Sequence, residues 1–108
     1  SEVRLELPIP ASALVLQPEM RVVPVRLSGM ATVGEGAGPF DLAVAVNGVV
    51  RAITRVEGGG RSADRLFWSF LLEETAFEPG ANSVGFYVVE RRAGGPILRP
   101  APAKFAGS

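Results

Sequence analysis

Short stretches of alternating apolar and polar residues run along most of the chain. Residues 3–9 alternate Val, Leu and Ile with Arg, Glu and Pro, and residues 21–33 alternate in the same way. Residues 66–72, LFWSFLL, are the most aromatic of these stretches. A period of two predicts β-strands with one buried face. Turn signals recur about every 8–12 residues, which predicts seven to eight antiparallel strands in a sandwich or small barrel.

Prolines interrupt the predicted strands near both ends of the chain. They stop the first apolar run, Val3–Ile9, which we predict to be an edge strand that is open to pairing with a second copy. Pro24 predicts an edge, a bulge or the start of the second strand, because proline cannot donate to a ladder. A last, proline-broken strand is predicted from Ile97 to about Phe105.

The segment AVAVNGVVRAITR, residues 43–55, predicts a β-hairpin. Asn47 and Gly48 suit a two-residue type I′ turn, in which both central residues have a positive φ. A regular register pairs Val46 with Val49, Val44 with Arg51 and Leu42 with Ile53. One face then carries Leu42, Val44, Val46, Val49 and Ile53, with Arg51 among them. The other face carries Ala43, Ala45, Val50, Ala52, Thr54 and Val56. We expect this second face to pack closely against another surface.

Composition favours one folded domain, residues 1–108, with its own core. Hydrophobic residues make up 47% of the 108 residues, which is too many for a disordered chain although Gly and Pro number 13 and 9. Eleven basic residues balance eleven acidic ones, so nothing indicates nucleic acid or an anionic membrane as a partner. A net charge of zero favours association or attachment to a larger protein.

Several kinds of chemistry lack the residues they need. The chain has no Cys and no His, so it lacks thiolate chemistry, the commonest general base and the commonest metal ligand. No apolar run approaches the length that spans a membrane. The glycine runs GEGAG and GGGR lack the Lys-Ser/Thr end and helix start of a phosphate loop. We therefore predict no enzyme activity, no cofactor and no metal site.

The remaining catalytic candidates are single polar residues. A serine nucleophile would need Lys104, the only lysine, as its base; the serines considered are Ser12, Ser28, Ser62, Ser69 and Ser83. Glu73 and Glu74 are adjacent and would diverge in a strand or turn, while Asp41 and Asp64 are expected alone at loops or strand ends. Calcium binding by Asp64 with Glu57 and loop carbonyls matches no loop motif. Arg26, Arg51 and Arg55 are expected on solvated faces.

Aromatic residues offer an alternative function, carbohydrate binding. The aromatic residues considered are Phe67, Trp68, Phe70, Phe86 and Tyr87. Trp68 and Phe70 fall on the predicted buried face of their strand and are predicted to form the core. Phe67 and Tyr87 fall on the opposite faces of their strands and are the candidates for exposure. An exposed platform would predict that sugars change the emission of Trp68.

The segment FEPGANSVGFYVV, residues 77–89, resembles the E-to-F corner of immunoglobulin-like and fibronectin type III-like domains. With DLAVAVNGVVRAITRV and FWSFLLEETA it is similar to accessory β-sandwich modules of bacterial extracytoplasmic proteins, including sulfatase-like proteins of the alkaline phosphatase superfamily. The resemblance covers about residues 40–90. Asn82 stands near where a corner tyrosine is expected, and the cysteine pair of true immunoglobulin domains is absent.

These observations predict an all-β, immunoglobulin-like sandwich that is a fragment or terminal module of a larger protein. Its expected role is non-catalytic: to pack against or space a catalytic domain, or to mediate assembly. Its expected partners are protein, by attachment or self-association, with carbohydrate as the alternative. The resemblance implies an extracytoplasmic or periplasmic location. The predicted interaction surface consists of Ala43, Ala45, Val50, Ala52, Phe67 and Tyr87.

Overall fold

A computed structural model describes residues 3–10, 25–34, 39–57 and 65–107, which form eight strands. These are β1 (Arg4–Leu7), β2 (Val25–Thr32), β3 (Phe40–Val46), β4 (Val49–Val56), β5 (Arg65–Leu72), β6 (Val84–Arg92), β7 (Gly95–Pro100) and β8 (Ala103–Phe105). The predicted alternation of buried and exposed residues is confirmed in β1, β2 and β5, whereas β3 is buried on both sides from Leu42 to Val46. The predictions for Ser12, Pro24, Ser62, Asp64 and both glycine runs lie wholly or mostly outside the described residues.

The strands form two four-stranded sheets that pack as a sandwich. The first sheet has the order β5-β2-β1-β8 and the second has the order β4-β3-β6-β7. All neighbours are antiparallel except β1 and β8, which are parallel. The all-β sandwich predicted from the alternation is therefore confirmed, with one parallel pair in it.

The chain passes from the second sheet to the first between β7 and β8, and this crossover makes β1 an inner strand of the first sheet. The Ala101 N–H donates to the Phe86 carbonyl at 2.9 Å, and the Leu5 N–H donates to the Pro102 carbonyl at 2.8 Å. β8 therefore lies beside β1, which has β2 on its other side. The prediction that Val3–Ile9 forms an open edge was wrong, because the crossover covers it.

The core lies between the inward faces of the two sheets. The predicted buried face of β5 is confirmed, and Trp68 packs edge-on against Phe86 of the opposite sheet at 5.2 Å between ring centroids. The core residues, all less than a tenth exposed, include Leu5, Leu7, Leu27, Ala31, Leu42, Val44, Val46, Val56, Leu66, Trp68, Phe70, Leu72, Phe86 and Val88. Trp68 and Phe70 are thus part of the core and unavailable to stack on a sugar.

Gly29 allows Trp68 to sit in the middle of the first sheet. The two residues are register partners on β2 and β5. A Cβ at position 29 would collide with the backbone oxygen of Glu6 and lie 3.0 Å from the Trp68 ring. Glycine inside a strand is otherwise unfavourable, so its presence here marks a close approach of backbone and ring.

The β3–β4 hairpin contains a β-bulge that the sequence analysis did not predict. Val46 pairs with Val49 and Ala45 with Val50, as expected from the Asn47–Gly48 turn, where φ is 51° and 83°. The register then shifts by one residue, and Val44 pairs with Ala52. Arg51 is the extra residue. The bulge removes an arginine from the core side, where a regular ladder would have placed it.

The bulge exchanges the two predicted faces of β4 beyond Arg51. Ala52 and Thr54 now face the core side, and Val56 is fully buried there. Ile53 was predicted to share the core face with Leu42, but its side chain is 55% exposed on the outside of the sheet. The prediction was wrong because a one-residue shift reverses every later side chain.

Two asparagines connect the hairpin turn to the corner between β5 and β6. The corner contains a 3₁₀ turn, Glu74–Ala76, and is closed by Asn82. The Asn82 Oδ1 accepts the Glu78 N–H at 2.8 Å and the Asn47 Nδ2 at 2.9 Å. Asn47 also exchanges hydrogen bonds with the backbone of Ser83. A side-chain amide thus holds this corner where the resemblance led us to expect a tyrosine.

Candidate interaction surface

The outer side of the second sheet is apolar over much of its width, and we call it the apolar face. Ala43 and Ala45 of β3 point outward on this side. Residues that pair across neighbouring strands share a face, so the register partners of these alanines point outward as well. Its members are Ala43, Ala45, Val50, Ile53, Tyr87, Val89, Leu98 and Pro100. A sheet side that faces only water would be expected to carry polar residues at these positions.

The centre of the apolar face is built from small residues beside large ones. Ala43 is fully buried although it lies outside the core, and its register partners are Ile53 and Tyr87. A Cβ at Gly85 would lie 3.1 Å from the Tyr87 hydroxyl oxygen, so the absence of a side chain there leaves room for the tyrosine. The larger side chains therefore cover the alanines.

Three apolar side chains stand out from this surface on the two outer strands of the sheet. Ile53 is 55% exposed, and Val50 and Leu98 are each 43% exposed. Val50 and Ile53 lie on β4, and Leu98 lies on β7. Ala43 and Ala45, on β3 between these outer strands, are almost completely covered by their neighbours.

An ion-pair bridge closes one end of the apolar face. Asp41, on β3, accepts hydrogen bonds from Arg55 of β4 and Arg91 of β6, each at 3.2 Å. The hydrogen bond from Arg55 is the main cause that lowers the pKa of the Asp41 carboxyl, and Arg91 adds to it. Asp41 was predicted alone at a loop or strand end. It does lie near the start of β3, but it is not alone, because it is joined to both neighbouring strands.

The structure brings together only part of the predicted interaction surface. Ala43, Ala45, Val50 and Tyr87 share the apolar face. Ala52 does not belong with them, because the bulge turns it toward the core. Phe67 lies on the other sheet. Ile53 and Leu98 were not predicted to belong to this surface. A charged residue, Arg51, at a position predicted to face the core was the sign that the register shifts and that Ile53 faces outward.

The outer side of the first sheet has a different character. Phe67 and Leu71, both on β5, are each 65% exposed. Polar and charged residues fill the neighbouring strands, and Arg65 forms an ion pair with Glu6 at 3.1 Å. A groove of about 330 Å³ beside Phe67 is also lined by Met30 and Ser28.

The polar residues considered for catalysis lie in strand ladders or in the 3₁₀ turn. Ser28 and Ser69 are register partners on β2 and β5, and Lys104 pairs with Glu6 across the β1–β8 ladder. Glu73 and Glu74 supply carbonyls to the 3₁₀ turn, whose N–H donors are at Ala76 and Phe77. Arg26 lies on the first sheet, away from Arg51 and Arg55, so these arginines form no common patch.

No metal-binding cluster of three or more acidic residues occurs in the part of the chain that the structure describes. No family model, curated protein or solved structure matches the chain. Within residues 3–10, 25–34, 39–57 and 65–107, no helix is long and apolar enough to cross a membrane.

Proposed function

We propose that this chain is a non-catalytic interaction module whose apolar face packs against another folded protein surface. The observation that carries the proposal is the exposure of three apolar side chains, Val50, Ile53 and Leu98, on the outer side of one four-stranded sheet. Contiguous apolar surface with a polar rim is typical of protein interfaces. The ion-pair bridge at Asp41 supplies such a rim at one end.

The order of the strands supports an immunoglobulin-like interpretation. In that fold the first, second and fifth strands share one sheet, and the third, sixth and seventh share the other. The first sheet here contains β1, β2 and β5, and the second contains β3, β6 and β7, with β4 added beside β3. Accessory modules of bacterial extracytoplasmic proteins are the class that we propose on this basis, with an attached catalytic domain as the partner.

Site-specific photocrosslinking in the source cells tests this function. A photoreactive amino acid is placed at Ile53 or at Leu98, and in a matched variant at Thr32, which is exposed on the other sheet. We expect defined crosslinks from positions 53 and 98, because both side chains would be covered by the partner. The crosslinked peptides, identified by mass spectrometry, will lie in one domain.

The control decides the outcome of this experiment. Crosslinks at position 32 that are as abundant and as uniform as those at positions 53 and 98 would contradict the proposal, because the apolar face would then have no preferred partner. An antibody against the domain gives the mass of the native polypeptide in the same cells. A mass far above that of 108 residues identifies the partner as an attached domain.

Carbohydrate binding is the second candidate, and the exposure of Phe67 beside the groove favours it. An aromatic ring with polar neighbours can stack on a sugar. The buried position of Trp68 removes the expected fluorescence signal, so calorimetric titration with oligosaccharides is the suitable measurement. Heat of binding that Phe67→Ala abolishes and Ile53→Lys leaves unchanged would support this candidate over the first.

A further inference from the structure

The four sheet edges differ in the features that prevent pairing with another strand. β4 has the bulge at Arg51, β7 has Pro96 and Pro100, and β8 is three residues long. Bulges, prolines and short strands all disfavour edge pairing. β5 has none of these features: it is eight residues long and pairs with β2 without a register shift. Among the described residues, β2 is its only strand neighbour.

The outward residues of β5 and the residue that follows it form a self-complementary row. In order they are Arg65, Phe67, Ser69, Leu71 and Glu73. Glu73 is exposed and keeps extended backbone angles, φ −70° and ψ 147°, so the row continues past the end of the strand. The row begins with a cation, ends with an anion and has its smallest residue at the centre.

An antiparallel pairing of two copies about Ser69 matches every member of this row. Phe67 of each copy then lies opposite Leu71 of the other, and Arg65 lies opposite Glu73. The two serines meet at the twofold axis. Aromatic–aliphatic and opposite-charge pairs across antiparallel strands are both stabilising. A pairing shifted by two residues would lose both charge pairs.

We propose that β5 is a homodimerisation edge, at which two copies of this chain join their first sheets through an antiparallel β5–β5 pair centred on Ser69. The occupant is a second copy because the row complements itself in charge and in side-chain type. The proposal concerns a different surface from the apolar face and does not depend on the proposed function.

The intrachain ion pair of Arg65 is compatible with this dimer. The Arg65–Glu6 pair has both side chains more than half exposed, at 55% and 57%. Exposed pairs of this kind contribute little to stability. Arg65 can therefore turn toward a carboxylate on the partner strand, or contact both carboxylates, without a large loss.

Charge exchange tests the register. We expect Arg65→Glu and Glu73→Arg each to raise the dissociation constant of the dimer about tenfold, because each places like charges opposite one another twice. The double variant, Arg65→Glu with Glu73→Arg, restores opposite charges and should return the constant to within about threefold of the wild type. Sedimentation equilibrium gives the constants, and circular dichroism confirms that each variant is folded.

Two variants serve as controls for the charge exchange. Glu78→Arg makes the same change of net charge as Glu73→Arg but lies outside the row, and Glu6→Gln removes the intrachain pair alone. Both should leave the dissociation constant unchanged. A wild-type chain that remains monomeric at about 1 mM, or a double variant as weak as the single ones, would overturn the proposal.

A cysteine at the twofold axis gives an independent test. The chain has no cysteine, so Ser69→Cys introduces a single thiol. Facing residues of antiparallel strands have Cα atoms about 4.5–5.5 Å apart, which a disulfide can span. Under mild oxidation we expect Ser69→Cys to form a disulfide-linked dimer at least tenfold faster than Thr32→Cys, which lies on an inner strand of the same sheet. Equal rates would overturn the proposed centre.

Discussion

Asp41 joins three strands of the second sheet through its two carboxylate oxygens. Its partners, Arg55 and Arg91, have exposed side chains, whereas the Asp41 side chain is only 17% exposed. The carboxylate therefore accepts both bonds in a partly shielded position. Its pKa is below the usual 3.8, which means that the ionised carboxylate is more stable in the folded state than in the unfolded state.

This shift predicts a pH-dependent contribution of Asp41 to stability. The contribution is fully present above the unfolded pKa of about 3.8 and is lost as the pH falls through the lower, folded value. Asp41→Asn should therefore be less stable than the wild type by a constant amount near neutral pH, and the difference should shrink below about pH 4. Urea unfolding between pH 3 and 7 measures it, with Glu57→Gln as the control for loss of one carboxylate. A difference that does not change with pH would contradict this role.

The hairpin shows what could and could not be predicted at the scale of one element. Asn47 and Gly48 fixed the turn, and the predicted pairing of Val46 with Val49 is confirmed. The alternation beyond the turn pointed to a regular ladder, and the one local sign against it was a charged residue, Arg51, at a core-facing position. Only tertiary burial decides it, since the core accepts Ala52 and not the guanidinium of Arg51.

Deletion of single residues tests this explanation of the bulge. Deleting Arg51 leaves Val50 and Ala52 consecutive, so every observed pair is kept and the bulge is lost. Deleting Ala52 gives a chain of the same length in which Arg51 must lie opposite Val44 on the core side. We expect the first deletion to change the free energy of unfolding by less than about 1 kcal/mol and the second to lower it by about 2 kcal/mol or more.

Chemical denaturation of both deletion variants supplies the comparison. Equal destabilisation would show that the hairpin tolerates a charge on its core side as well as it tolerates the loss of a bulge. The matched length of the two variants excludes loop shortening as the cause of any difference.

At the scale of the molecule, the sandwich and the buried faces of its strands followed from the alternation, but the neighbours of several strands did not. The parallel pair of β1 and β8 joins strands from opposite ends of the chain, and no local pattern encodes such a pairing. The predicted interaction surface combined residues of both sheets for the same reason. Phe67 and Ala43 have similar local patterns, yet they lie on different sheets.

The two proposed surfaces lie on different sheets and face opposite outer sides of the sandwich, although their strands β4 and β5 contact one another, and we predict that they act independently. The apolar face covers the second sheet, whereas the dimer edge extends the first sheet sideways at β5. Substitutions at distant sites without shared partners are usually additive. Ile53→Lys should therefore leave disulfide formation by Ser69→Cys within about twofold of its rate in the otherwise unchanged chain.

The reciprocal experiment completes this prediction. Arg65→Glu should leave photocrosslinking from position 53 unchanged in yield and in the peptide that it labels. If Ile53→Lys abolished the disulfide-linked dimer, the two copies would instead meet through their apolar faces, and the two proposals would reduce to one interface. If neither variant affects the measurement at the other site, the chain can hold a second copy through β5 while its apolar face contacts a different protein.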